Sequence, residues 1–81
     1  MTRRDKLVRQ IMDAPRGVRF DDACRMARLL GFQHEAGQGS HRVFKRQGEA
    51  MQLNFQNRGG YIPPYQARQL VVMIEKYGRA L

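Results

Sequence analysis

The side chains best suited to chemistry in this chain are its two histidines, His34 and His41. His41 follows the glycine-rich run GQGS at 37–40 and precedes Arg42, Lys45 and Arg46. A field of positive charge disfavours a second positive charge on the ring, and a neutral imidazole can accept a proton. His41 is therefore the first candidate for acid–base chemistry. The alternative is an ordinary histidine at a turn or strand edge, which is also the favoured interpretation of His34.

The charge balance indicates a polyanionic partner. Fifteen Lys and Arg face seven Asp and Glu, giving a net charge of +8 and a pI near 10.8. Arginine, which outnumbers lysine twelve to three, grips phosphate with a planar fork of donors and stacks on bases. Nucleic acid is the first candidate because phosphate contacts release counterions. Two alternatives are that the positive charge only keeps the protein soluble, or that it meets an acidic protein partner.

RNA cleavage is a reaction that one imidazole among cations can support. A base takes the proton of a ribose 2′-hydroxyl, and the attacked phosphate gains negative charge that Arg and Lys stabilise. We expect Arg42, Lys45 and Arg46 to hold or neutralise phosphate. Neighbouring residues of a strand face opposite ways, so not all three can do so.

Other classes of site have little support in the sequence. The spacing of metal ligands is not found among Cys24, His34 and His41. The glycine-rich run at 37–40 lacks the lysine that a phosphate-binding loop requires. We predict no metal and no cofactor. Cys24 is the only cysteine, so no internal disulfide can form and a reducing compartment is favoured. Its apolar, helix-spaced neighbours favour a core thiol.

Hydrophobic spacing predicts two helices before the histidines. Residues 2–13 carry a narrow apolar stripe, with Thr2 as the expected cap. Residues 21–30 form the second helix, with Asp21 as the expected N-cap and Phe20 stapled onto the first turns. Gly31 is expected to end it.

Three strands are predicted next, at 32–36, 41–46 and 50–56, separated by turns at 37–39 and 47–49. In the third strand Met51, Leu53 and Phe55 point one way. If Phe44 faces the core, alternation places His41 on the opposite, open face. Val43 is the alternative core residue, and a bulge near Gly39 would shift the register.

A last helix is predicted after Pro63 and Pro64, ending at Gly78. Its apolar face comprises Ala67, Leu70, Val71, Ile74 and Tyr77. The predicted fold is α+β with two layers, a three-stranded antiparallel sheet covered on one face by helices. We assign 19–81 to the domain and 1–18 to an N-terminal helical extension that packs on the domain or on a partner. A second copy of the chain is one candidate for that partner.

The chain is predicted to be cytoplasmic, with no membrane partner. Its first thirty residues carry charges every few positions, so they contain no apolar signal core. No apolar run of about 18 residues is present to span a bilayer.

Residues 20–78 resemble the HicA toxins of bacterial toxin–antitoxin systems. The likeness is carried by Gly31-Phe32, by Gly39-Ser40-His41 with Phe44 three residues on, and by Pro64 with Leu70 in the last helix. The resemblance implies the helix–three strands–helix fold of double-stranded-RNA-binding domains. It implies a ribonuclease that cleaves messenger RNA, an mRNA interferase that inhibits translation and growth.

The same resemblance assigns individual roles. His41 would be catalytic, with Gly39 and Ser40 shaping the loop before it. A cognate HicB-type antitoxin would cover the active face. Family members often carry a basic, proline-containing segment after the third strand, whereas here Arg58 is the only charge in 57–61. We expect Arg58 and Ser40 to contact RNA, and the proton donor to the leaving group is unassigned.

Two rival functions remain open at this point. The first is a non-catalytic RNA-binding module on the same fold, which would read phosphates and 2′-hydroxyls without cleavage. The second is a DNA-binding or protein-interaction domain whose basic surface meets an acidic partner.

Overall fold

The computed structural model describes residues 2–80 and confirms the α+β architecture. Three α-helices and a three-stranded antiparallel sheet are joined by short turns. In order they are α1 (Arg3–Asp13), a 3-10 turn (Pro15–Gly17), α2 (Phe20–Leu29), β1 (Gln33–Ala36), β2 (His41–Lys45), β3 (Leu53–Gln56), α3 (Pro64–Tyr77) and a second 3-10 turn (Gly78–Ala80).

The two N-terminal helices begin in different ways. Thr2 caps α1 as predicted: its hydroxyl accepts from the Asp5 amide at 3.1 Å, and the Asp5 carboxylate accepts from the Thr2 amide at 3.3 Å. The prediction that Asp21 caps α2 is wrong, since the cap is Arg19 and it makes no side-chain capping bond. The Phe20 amide donates instead to the Gly60 carbonyl at 2.9 Å. This pairing holds the chain extended up to Arg19, so the helix begins at Phe20.

The sheet runs in the order β1-β2-β3, and helices pack against one of its faces. Phe44 lies opposite Leu53, and Arg42 lies opposite Phe55. Phe44, Leu53 and Phe55 each have 0% exposure, and both α2 and α3 contact β3 on this side. The register of β1 shifts between His34 and Ala36, so the irregularity lies in β1 and not near Gly39.

The third strand is shorter than predicted. It begins at Leu53, and Met51, expected in the core, is 37% exposed. The Glu49 carboxylate accepts from the Met51 amide at 2.8 Å. This side-chain bond takes the place of the backbone bond that Met51 would make to β2 if the strand extended that far. The pairing with β2 therefore starts only at Leu53.

Helix α1 contributes to the same hydrophobic core as the rest of the chain. Leu7 and Ile11 are 2% and 1% exposed and belong to one cluster with the buried residues of α2, α3 and the sheet. The helix contacts α2, α3 and the 3-10 turn that follows it. Within residues 2–80, no helix has the length and apolar character that crossing a membrane requires.

A polar cluster ties the β2–β3 turn to the last helix. Glu49 Oε1 accepts from Lys76 Nζ and from the Tyr77 hydroxyl, both at 2.6 Å. These bonds, with the Met51 amide, lower the pKa of Glu49 from 4.5 to about 2. The Arg46 guanidinium lies 3.8 Å from the Tyr77 ring centroid, and its Nε donates to the Leu30 carbonyl at 2.9 Å. The cluster thus joins the turn to the ends of α2 and α3.

Replacing Leu7 with alanine tests whether α1 belongs to the core. Removing a buried leucine side chain costs about 2–5 kcal/mol, so Leu7→Ala should lower the free energy of unfolding in urea by that amount. Arg4→Ala, at an exposed position of the same helix, is the control and should change it by less than about 0.5 kcal/mol. Equal effects of the two variants would show that α1 packs loosely.

Replacing Glu49 with glutamine tests the polar cluster through pH. A folded-state pKa below the ordinary value gives stability that is present above pH 4.5 and is lost as pH falls towards about 2. The difference in melting temperature between the wild type and Glu49→Gln should therefore shrink across that window. Glu75→Gln, at an exposed site of α3, should show no such change, and a pH-independent difference for Glu49→Gln would contradict the assignment.

Candidate active site

His41 lies on the face of the sheet that the helices do not cover. It is the first residue of β2, is exposed, and is paired with Gln56 of β3. Side chains alternate between faces along a strand, and Phe44 is buried against the helices, so His41 and Val43 point the other way. The ring is accessible to a ligand from solvent.

The turn before His41 depends on a glycine that the sequence analysis did not single out. Gly37 has φ +85°, and a Cβ atom there would lie 2.3 Å from the His41 carbonyl oxygen. Gly39, the expected shaper of this loop, has φ +61° but open space around it. Both positions favour glycine through their backbone conformation. Only Gly37 also needs it for close contact with the residue that carries the site.

His34 supports this turn from the helix-covered side of the sheet. Its Nε2 donates to the Gly37 carbonyl at 2.8 Å, and its ring centroid lies 5.6 Å from that of Phe44. Ser40 is exposed, and its carbonyl accepts from the Asn57 amide at 2.7 Å. The turn is therefore held by His34 at one end and by the chain following β3 at the other. These contacts are consistent with the structural interpretation of His34 that the sequence favours.

The three cations after His41 divide between the two faces of the sheet. Lys45 is exposed on the same face as His41, about 13 Å along the strand at roughly 3.3 Å per residue. Arg42 lies on the helix side, half-buried, with its guanidinium carbon 5.5 Å from the Phe20 ring centroid. Its buried Nε has no hydrogen-bond partner among residues 2–80. Arg46 belongs to the polar cluster with Tyr77, so only Lys45 shares the open face.

Arg58 is the cation that the fold brings to the His41 end of the sheet. Its Nη2 donates to Gln56 Oε1 at 3.0 Å, and Gln56 is the direct cross-strand neighbour of His41. Arg58 is exposed, and its backbone amide donates to the Tyr61 carbonyl at 2.8 Å. This hydrogen bond thus holds the Arg58 guanidinium group beside Gln56, the residue that pairs with His41.

Two exposed tyrosines lie next to these cations, and sequence reasoning missed both. Tyr61 is 43% exposed and Tyr65 is 51% exposed. The Arg19 guanidinium carbon lies 5.5 Å from the Tyr61 ring centroid, and Arg19 pairs with Tyr61 through a backbone bridge. Exposed aromatic rings among arginines are suited to stacking on nucleic-acid bases. The run RGGYIPPY at 58–65 carried this signal as aromatic residues following a cation.

Tyr65 is linked to the sheet through Gln66. The buried Gln66 accepts from the Gln56 amide at 2.9 Å and donates to the Tyr65 hydroxyl at 3.1 Å. Gln56 therefore contacts three of these residues. Its backbone amide donates to Gln66, its side chain accepts from Arg58, and it is the strand partner of His41. The start of α3 and the end of β3 form one connected polar surface.

Within residues 2–80, no three His, Cys, Asp or Glu side chains are grouped as a metal site would require. Cys24 is 2% exposed, and burial raises the pKa of its thiol above the ordinary value of 9.0, an effect that the charges of Arg42 and Arg28 partly oppose. Cys24 is therefore a protonated thiol within the core at neutral pH, and not a nucleophile.

No protein-family model, curated protein or solved structure matches this chain. The resemblance to the HicA toxins therefore stays a hypothesis drawn from the sequence. The residues around His41 and their geometry are therefore the basis for inferring a function.

Replacing the two glycines with alanine separates conformation from close contact. Gly39→Ala should lower the free energy of unfolding by about 1–2 kcal/mol, because only the positive φ is disfavoured. Gly37→Ala should cost roughly 1–3 kcal/mol more, since the added methyl group overlaps the His41 backbone. Urea denaturation of both variants checks the order, and an equal cost would contradict the proposed contact.

Proposed function

We propose that the protein is an endoribonuclease that cleaves RNA with His41 as its catalytic residue and without a metal ion. The observation that carries this proposal is the exposed imidazole on the open face, beside the Gln56–Arg58 pair. Acid–base catalysis needs an accessible group that can take a proton, and phosphate chemistry needs nearby positive charge. This end of the sheet supplies both.

The reaction begins at a ribose 2′-hydroxyl. One imidazole nitrogen of His41 takes its proton, and the resulting oxygen attacks the adjacent phosphorus. A 2′,3′-cyclic phosphate forms as the bond to the 5′-oxygen breaks, and the leaving oxygen takes a proton from solvent. A general base of this kind accelerates a reaction by roughly a hundred- to ten-thousand-fold, which suits a slow nuclease.

The surrounding residues bind the substrate. Arg58 neutralises the phosphate that is attacked, and Lys45 contacts a phosphate further along the strand. The Ser40 hydroxyl offers a hydrogen bond at the turn that Gly39 helps to shape, and Tyr61 and Tyr65 stack on unpaired bases. Arg42 and Arg46 act at longer range, through the positive field they add from the helix side.

The cellular role that fits such an enzyme is that of a toxin in a bacterial toxin–antitoxin pair. This role is implied by the resemblance to the HicA family, whose members are expected to cleave messenger RNA and arrest translation and growth. A HicB-type antitoxin would cover the open face of the sheet. Covering His41 would stop cleavage directly because RNA could then no longer reach the exposed ring.

A non-catalytic RNA-binding module is the second candidate, and one observation favours it. On the open face of β2 and β3, Lys45 is the only titratable side chain besides His41. Efficient cleavage usually combines a base with an acid. A protein that only binds RNA needs neither.

Replacing His41 tests the two candidates. Purified wild type should fragment RNA in the presence of EDTA, and His41→Ala should lower the cleavage rate by roughly a hundred- to ten-thousand-fold with an unchanged melting curve. Expression of the variant should no longer inhibit growth. His34→Gln, which retains an N–H donor for the Gly37 carbonyl, is the matched control and should cleave RNA.

Two results would contradict the nuclease. The first is full cleavage by a folded His41→Ala protein. The second is an intact RNA that wild type binds and shifts on a gel without fragmenting, which would establish the binding module instead.

A further inference from the structure

A second basic surface lies between α1 and α2, away from His41. A shallow, open cleft of about 640 Å³ lies between the two helices, and its cations are Arg3, Lys6 and Arg9 of α1 and Arg25 of α2. Asp22 is the only carboxylate among its lining residues. The cleft is built from helical residues alone, whereas His41 lies on the uncovered face of the sheet. We call it the α1–α2 groove.

The cations of the α1–α2 groove are not engaged within the protein. Among residues 2–80, Lys76 is the only Lys or Arg with a carboxylate oxygen within 4.0 Å. All four groove cations are exposed. Solvent, salt and the single Asp22 carboxylate therefore offset their mutual repulsion only in part, and a bound polyanion would relieve it further.

The three cations of α1 follow an i, i+3 ridge that winds by about 60° around the helix at each step. Arg3, Lys6 and Arg9 follow one another every three residues, a step of about 4.5 Å along the helix axis. Arg25 faces this ridge from α2. A ridge of cations along a cleft matches a chain of phosphates better than it matches a single small anion.

The charge composition of the groove, four cations and one carboxylate, favours nucleic acid over a protein partner. Its one strongly apolar residue, Leu7, is 2% exposed and belongs to the core. Protein–protein interfaces have an apolar or aromatic centre and are depleted in lysine. Interfaces with nucleic acid are polar and strongly positive. The composition of the groove is of the second kind.

We propose that the α1–α2 groove binds the phosphate backbone of RNA at a site separate from His41. The groove would hold part of a long RNA without regard to sequence, as phosphate contacts do. The inference depends on RNA being the ligand of this protein, but it does not depend on cleavage.

The test compares two triple variants with the same change in net charge. The groove variant is Lys6→Gln with Arg9→Gln and Arg25→Gln. The control carries Arg16→Gln, Arg68→Gln and Arg79→Gln, all at exposed positions outside the groove. Affinity for a labelled, 2′-O-methylated single-stranded RNA of several tens of nucleotides is measured by fluorescence anisotropy over a series of KCl concentrations. The 2′-O-methyl groups prevent cleavage, so binding is read alone.

The groove variant should bind RNA roughly 10- to 100-fold more weakly than wild type, and the slope of log affinity against log salt should fall by about 2. The control should stay within about threefold, because it keeps the groove contacts. Exchanging the three residues for the other basic type, Lys6→Arg with Arg9→Lys and Arg25→Lys, should restore most of the affinity. That rescue shows that the groove variant lost charge and not structure.

Equal weakening by the two glutamine triples would overturn the proposal, since net charge alone would then explain binding. So would unchanged RNA binding by the groove variant. Polyglutamate serves as the probe for an acidic protein: if the groove variant loses polyglutamate and keeps RNA, the groove is a protein-docking surface. The same comparison is repeated with His41→Ala added to each protein. The loss of RNA affinity caused by the groove variant should remain, so a result against the nuclease can be told from a result against RNA binding in the groove.

Discussion

The burial of Phe44 fixes the orientation of every other side chain in β2. Its ring is fully buried, opposite Leu53 and 5.7 Å from the ring of Phe55. Side chains in a strand alternate with a period of two, so a slip of one residue would bring His41 towards the helices and expose Phe44. The site thus depends on a hydrophobic contact that lies on the other side of the sheet from it.

The same alternation gives the basic residues of β2 different roles. Arg42 and Arg46 face the helices, where their guanidinium groups lie against the rings of Phe20 and Tyr77. They act as structural side chains that carry charge. Among the exposed cations, Lys45 lies on the open face, and Arg3, Lys6, Arg9 and Arg25 lie between α1 and α2. With a net charge of +8 and one ion pair, Lys76–Glu49, among residues 2–80, the protein keeps most of its positive charge uncompensated.

Local pattern was enough to predict the elements, but it could not predict contacts between distant segments. Thr2 as a cap and the apolar periodicity of α3 follow from neighbouring residues, and both are confirmed. The start of α2 depends on Gly60, about forty residues away along the chain, so the preference of Asp21 for a cap position was overridden. Met51 follows the alternation of β3 but lies outside the strand, because Glu49 takes its amide.

In the candidate site, too, some features follow from neighbouring residues and others depend on contacts between distant segments. His41 could be selected from its sequence neighbours, and its exposure follows once Phe44 is placed in the core. Gly37 could not be preferred over Gly39, because the need for glycine comes from a carbonyl oxygen that only the folded turn brings near. The position of Arg58 next to Gln56 likewise depends on strand register, which no local pattern specifies.

The most direct test of the account is to observe the two histidine rings by NMR while a 2′-O-methylated RNA is added. The chain has only two histidines, so each ring can be assigned by comparison with a single variant. We expect large shifts for the His41 ring and nearly none for His34, which is bonded to the Gly37 carbonyl. An unmoved His41 ring in protein saturated with RNA would contradict the central claim.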